Sequence, residues 1–264
     1  MTQPGKLYGM ALIDMHTHLD ERLGGSAEAA VGQLIAAMDV AGVEHAVVLH
    51  LLRQPWPVEE VAAAVNTQPR LTGFVNIDPH SPTATSELEG AVRVGFRGLK
   101  LHPRLQKFRP DDPACIRLVV RAGEMGLPTL IDCFPDGDWL EAGLGVLQYA
   151  SLARLAPGAK LIVAHAAGHH CLDLLMLAKR VPNLWFDLSY SWLYYDDAVV
   201  AQLAYCVRSM RGERILFGTD YPDRPLPEAI ARSFILLDRF GIDGELREKI
   251  LCRNALHLLQ SRSA

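Results

Sequence analysis

His16-Thr17-His18 stands at the end of a short apolar run, ALIDMHTH. On a β-strand, residues i and i+2 face the same way, so two imidazoles can meet one cation. Zinc or a similar divalent ion takes His nitrogens at roughly 2.0–2.1 Å. Near the other end of the chain, Asp220 closes the run ILFGTDYP. Its carboxylate can ligate that cation or take the proton of a metal-bound water. The plainer role is a helix cap, which Tyr221-Pro222 disfavours by delaying the next helix. His165 closes KLIVAHAAG and suits either a ligand or a general acid–base, with a satisfied core histidine as the alternative. Lys100 and His102 stand two apart in GFRGLKLHP, so both can point into one mouth. Lys100 would hold a substrate carboxylate as a point charge, unless a neighbouring Asp pairs with it. Arg104, Lys107 and Arg109 add a basic loop that an anionic substrate would suit, although such a run usually faces solvent.

Something must bring these side chains together. Eight apolar, β-branched runs recur at 11–18, 45–52, 71–78, 96–102, 127–133, 160–165, 184–189 and 215–220. Stretches with helical spacing separate them: 26–42 with a Ser start and a Gly stop, 112–126 with Pro113 first, and 225–241. The tail 244–259 predicts a further amphipathic helix. Parallel returns need crossovers, and eight such units in about 250 residues match a (β/α)₈ TIM barrel. An open doubly wound sheet is the runner-up, but its glycine-rich turn after the first strand is replaced here by His-Thr-His. No linker or repeat interrupts the rhythm, which predicts one domain over 1–264 with an extra C-terminal helix. Most of the strand ends carry a titratable side chain: His16, His18, His50, Asp78, Lys100, His102, Asp132, His165, Asp187 and Asp220. In a barrel that rim carries the active site. The aromatic segment 189–197 and the residues Phe134, Asp136 and Trp139 would sit over the same rim, as ligand contacts or as packing.

Composition removes several classes of function. Lys plus Arg number 26 and Asp plus Glu 30, a net charge of −4, which argues against nucleic acid or an anionic membrane as partner. Half of the residues are hydrophobic, enough for a sizeable core, but no apolar run approaches the roughly 20 residues that span a bilayer. The 5 cysteines form no CxxC pair, and the N-terminus lacks an apolar signal segment. These features predict a soluble cytoplasmic protein. A small-molecule substrate, and at most a second copy of the chain as a homodimer, are the partners they leave.

The set DMHTH, GFRGLKLHP, LPTLIDCF, LIVAHAAG, NLWFDLS and ILFGTDYP, with the tail ILCRNALHLL, resembles the amidohydrolase superfamily over roughly residues 11–260. It is most similar to the amidohydrolase-related branch that includes aminocarboxymuconate-semialdehyde decarboxylase and many metal-dependent hydrolases. The resemblance implies a distorted barrel with one divalent metal, usually zinc, at its mouth. It implies that His16 and His18 are the first-strand ligands, that His165 is an acid–base, and that Asp220 is a ligand or proton acceptor. One position departs from the pattern. Where the family usually has a fifth-strand histidine ligand, this chain has Asp132 after Pro128-Thr129-Leu130-Ile131. As an oxygen ligand it would complete the site and shift it toward harder ions such as manganese. Period-two alternation puts Asp132 on the face of Leu130; a strand rotated by one residue would instead offer the Cys133 thiolate. In other branches the residue at Lys100 is carbamylated and bridges two metals, for which this sequence offers no further support.

The reading expected from these parts is a metal-dependent hydrolase of a small, anionic amide, lactone or cyclic ester, acting through a metal-activated water. The alternatives are a metal-dependent decarboxylase or hydratase on an unsaturated or aromatic carboxylic acid, and a degenerate barrel that binds a ligand without turnover.

Overall fold

Aliphatic and β-branched side chains fill both faces of a buried parallel sheet, and here they do so eight times. The computed structural model describes residues 11–22 and 25–260. Strands β1 (Ile13–Thr17), β2 (His45–Leu49), β3 (Leu71–Asn76) and β4 (Gly98–Leu101) are followed by β5 (Thr129–Ile131), β6 (Leu161–Val163), β7 (Leu184–Asp187) and β8 (Ile215–Leu216). Each pairs in parallel with the next. The last strand and its loop return to the first. Met15 N–H donates to the Phe217 carbonyl at 2.9 Å, Asp220 N–H to His16 at 2.9 Å, and His18 N–H to Tyr221 at 2.7 Å. The sheet is therefore a nearly closed (β/α)₈ barrel, its seam made by residues just beyond β8.

The helices obey their predicted punctuation. The helix Ala27–Ala41 starts where Ser26 Oγ accepts from Ala29 N–H and stops at Gly42, whose φ of 71° is left-handed. Pro113–Glu124 starts under the Asp112 carboxylate. The C-terminal segment differs from the single helix expected. A π-turn at Lys249–Arg253 separates Gly244–Glu248 from Asn254–Gln260. The turn lets Asn254 Nδ2 donate to the carbonyls of Gly212 and Ile215 at 2.6 and 2.7 Å, and Ile250 accept from Phe217 N–H. Docking onto β8 thus overrides a regular helix. Among the described residues no helix is long and apolar enough to cross a membrane.

Two apolar layers result. The outer one lies between strands and helices. The inner one fills the barrel with Ile13, Met15, Val47, Leu49, Phe74, Leu130, Ile162, Trp185 and Leu216, and the C-terminal helix adds Ala255 and Leu258. Alternation after Met15 would turn His16 outward. Between the pairs Asp14–Ala46 and Thr17–Val48, however, β1 advances three residues while β2 advances two. This bulge re-aims the strand end, so His16 and His18 both line the mouth.

Candidate metal centre and active site

Two different second contacts orient the first-strand histidines. His18 Nδ1 lies 2.7 Å from the Leu49 carbonyl, which can only accept, so Nδ1 carries the proton. Its Nε2 then bears a lone pair in the neutral ring, and it faces Asp220 Oδ1 at 3.3 Å. His16 Nδ1 lies 2.5 Å from Asp187 Oδ2, and its Nε2 faces the same Asp220 oxygen at 3.2 Å. A carboxylate behind a ligand histidine is the usual means of fixing its tautomer. His16, His18 and Asp220 thus offer donor atoms that all lie within 4.8 Å of one another. Three electron-rich atoms this close repel unless a cation or a proton stands between them. Their chemistry, two imidazole nitrogens and one carboxylate oxygen, fits a divalent ion.

The backbone is bent to make this possible. Asp220 has φ of 64°, a left-handed conformation that takes its side chain out of the β8 direction and over the mouth. Gly218 precedes it, and a Cβ there would lie 2.8 Å from His16 Cβ and 3.0 Å from Asp187 Oδ1. Fully buried Asp14 ties β1 to β8. It accepts from His16 N–H at 3.0 Å, from Thr219 N–H at 3.1 Å and from Thr219 Oγ1 at 2.6 Å. Burial raises its carboxyl to about 7 despite those donors.

His165 begins a left-handed turn. Residues 165, 166 and 167 have φ of 59°, 47° and 58°, and none is glycine. Each such residue costs about 1–2 kcal/mol, so the turn persists only because its surroundings impose it. Ser191 Oγ donates to the His165 carbonyl at 2.8 Å, and His165 Nδ1 lies 3.1 Å from the Ser189 carbonyl. His165 Nε2 faces Asp132 Oδ1 at 3.3 Å. Burial pulls the His165 pKa down, but Asp132, Asp220 and Asp187 outweigh it and the net shift is upward. In His16 burial wins, with Lys100 adding to it, and the ring is held well below its ordinary value.

Lys100 is 1% exposed, and among the described residues its ammonium forms no hydrogen bond or ion pair. Burial lowers its pKa, while Asp132, Asp220 and Asp187 oppose that shift. It lines one polar cavity of about 480 Å³ together with His16, His18, His102, Asp132, His165 and Asp220. All seven predicted site residues therefore converge on one space. Asp132 does not join the donor group of His16, His18 and Asp220. Its carboxylate is gripped by Arg104, Nε at 2.8 Å and Nη2 at 3.0 Å, with His102 Nδ1 at 3.6 Å. Burial would raise that carboxyl, but His102, His165 and Arg104 bring it well below the ordinary value. Leu130 packs inside the barrel while Ile131 and Cys133 pack outside it, so Asp132 faces the mouth and the thiol does not.

Other rim residues take different places. Asp187 stands behind His16, and Asp78 caps its own turn by accepting from His80 N–H. His50 Nδ1 accepts from Asn76 N–H at 3.3 Å, and burial lowers the ring to about 4. Arg109 pairs with Asp111, away from the cavity. Tyr190 and Tyr194 stack at 5.0 Å and pack with Phe134 beside His165. Sequence reasoning missed Asp14, Ser189, Gly218 and Gln106. All four sit within four residues of a recognised motif residue, which is the signal that could have flagged them.

A profile of the amidohydrolase family matches residues 13–260. The chain belongs to the amidohydrolase family. Similar solved structures share the fold of this amidohydrolase-family chain. An uncharacterised TIM-barrel protein from Bordetella bronchiseptica is 20% identical with a TM-score of 0.78, covering 95% of this chain and 98% of that one. A candidate 2-pyrone-4,6-dicarboxylic acid hydrolase from Pseudomonas putida is 20% identical, TM-score 0.71, with 95% and 98% covered. A 5-carboxyvanillate decarboxylase from Novosphingobium aromaticivorans, with bound manganese, is 16% identical, TM-score 0.66, with 96% and 97% covered. A search of curated proteins finds no match.

Proposed function

We propose that this chain is a metal-dependent hydrolase that opens an amide, lactone or cyclic ester of a small anionic molecule. The observation that carries the reading is the Asp220 oxygen faced by both His16 Nε2 and His18 Nε2 at 3.2 and 3.3 Å. A divalent cation bound by those donors supplies a Lewis acid and lowers the pKa of a water. Two nitrogens and an oxygen suit zinc, and manganese also accepts such a set. The protein's own groups do the rest. Asp220, held ionised by its histidines, accepts a proton from water at the mouth. His165, whose proton is favoured by three carboxylates, returns one to the leaving group. Lys100, at the cavity wall with no ion pair among the described residues, fixes a substrate carboxylate, and His102 lines the same cavity.

The test starts from protein stripped with a chelator and reloaded with zinc or manganese. A panel of carboxylated lactones, cyclic amides and unsaturated acids is then assayed for ring opening and for CO₂ release. Ring opening that disappears with the metal and returns with it supports the reading. Metal-dependent CO₂ release without ring opening would replace it with the lyase that one similar fold exemplifies. A chain that binds no cation and turns over nothing would be a ligand-binding barrel.

A further inference from the structure

Asp132 and Asp220 are both carboxylates at strand ends, and their surroundings are opposite in kind. Asp220 faces two imidazole nitrogens that have lone pairs to share. Both oxygens of Asp132 are taken by a guanidinium: Oδ2 accepts from Arg104 Nε and Oδ1 from Arg104 Nη2. That bidentate geometry is among the strong hydrogen-bonding arrangements open to a carboxylate. Arg104 is itself fixed, since its remaining nitrogen donates to Asp136, the cap of the helix Gly137–Glu141. It rides on the turn Pro103–Gln106, which Gln106 pins by accepting from His102 N–H at 2.7 Å and donating to the Ile77 carbonyl at 2.8 Å. From the Asp132 backbone side, Tyr149 O–H donates to the Asp132 carbonyl at 2.8 Å. Beyond the guanidinium the carboxylate meets two imidazoles, His165 Nε2 at 3.3 Å from Oδ1 and, more distantly, His102 Nδ1 at 3.6 Å from Oδ2.

We infer that Arg104 withholds Asp132 from the cation and makes it the positioning carboxylate of His165. This rests on reading His16, His18 and Asp220 as the cation's donors. A cation drawn toward Asp132 would also approach the Arg104 guanidinium, a like charge that cannot be neutralised by losing a proton. The cation is therefore held by three protein ligands, with none from β5. Asp132 instead keeps the His165 ring turned with Nε2 to the mouth wall.

The test uses the full chain and the metals alone, zinc and manganese, titrated against a competing chelator. Asp132→Asn should leave each dissociation constant within about twofold and shift the ring ¹⁵N resonances of His165. Arg104→Gln should tighten binding by about tenfold, because the freed carboxylate adds a charged ligand. Asp132→Asn placed on Arg104→Gln should erase that gain. If Arg104→Gln does not fold, Arg104→Lys, which offers no fork, should show a smaller gain that Asp132→Asn again erases. Asp132→Asn weakening metal binding tenfold in the otherwise unaltered chain would overturn the inference, as would unchanged affinity in a folded Arg104 variant. An unaltered chain that binds neither metal defeats the hydrolase reading itself, which is a separate failure.

Discussion

The mouth of the barrel has two halves built from similar side chains. On the β1–β8 side, the carboxylate of Asp220 is paired with the imidazoles of His16 and His18 rather than with a guanidinium, and Asp187 stands behind. On the β4–β5 side, Asp132 is neutralised by Arg104 and flanked by His102, His165 and buried Lys100. The difference teaches that a strand-end aspartate has no fixed role. Lone-pair neighbours leave it available to a metal, whereas a guanidinium fork makes it an anionic prop.

Each half can be broken separately. The largest effect is expected from His16→Ala or His18→Ala. Loss of the partner hydrogen-bonded behind a ligand costs about 10–100-fold, so losing a ligand itself should weaken cation binding by more than about 100-fold. Elemental analysis together with the ring-opening assay would register this, and full occupancy in both variants would dissolve the metal half. His165→Asn should lower turnover by about 10²–10⁴-fold with metal content unchanged, as loss of a general acid–base does. A fall in metal content there would move His165 into the other half. Asp187→Asn should weaken binding by about 10–100-fold, because His16 loses the partner that fixes its ring. Equal affinity would mean that the 2.5 Å contact does not set the His16 tautomer.

The smallest effect belongs to a histidine outside both halves. His50 accepts from Asn76 N–H and therefore must stay neutral in the folded chain, with its pKa lowered from 6.5 to about 4. Between those values the unfolded chain binds a proton that the folded chain refuses. Stability therefore rises with pH across that window and is lost as pH falls from about 6.5 to about 4. The contribution is about 1–2 kcal/mol once relaxation is allowed for. His50→Gln keeps an acceptor and does not titrate, so denaturant curves at pH 4.5 and 7 should show a smaller loss for the variant, with cation binding untouched. An identical loss in both proteins would contradict the buried neutral ring.

The sequence alone determined the barrel, because eight apolar runs with helices between them leave few other ways to bury their surface. It also determined which residues stand at the rim, since each of the seven site residues closes an apolar run or lies just beyond one. Period two along β5 said only that Asp132 and Cys133 face opposite ways; the packing of the folded strand decided that Asp132 faces the mouth. Tertiary structure decided the partnerships. Spacing along a strand says which way a side chain points, but not which group meets it from another strand. Arg104 reaches Asp132 across 28 residues and Asp187 reaches His16 across 171. Local geometry imposed from outside was equally hidden: the β1 bulge, the left-handed turn at 165–167 and the left-handed Asp220 are all held by contacts with other elements. Whether an aspartate binds a metal or props a histidine is a property of a pair of residues, and only folding brings the pair together.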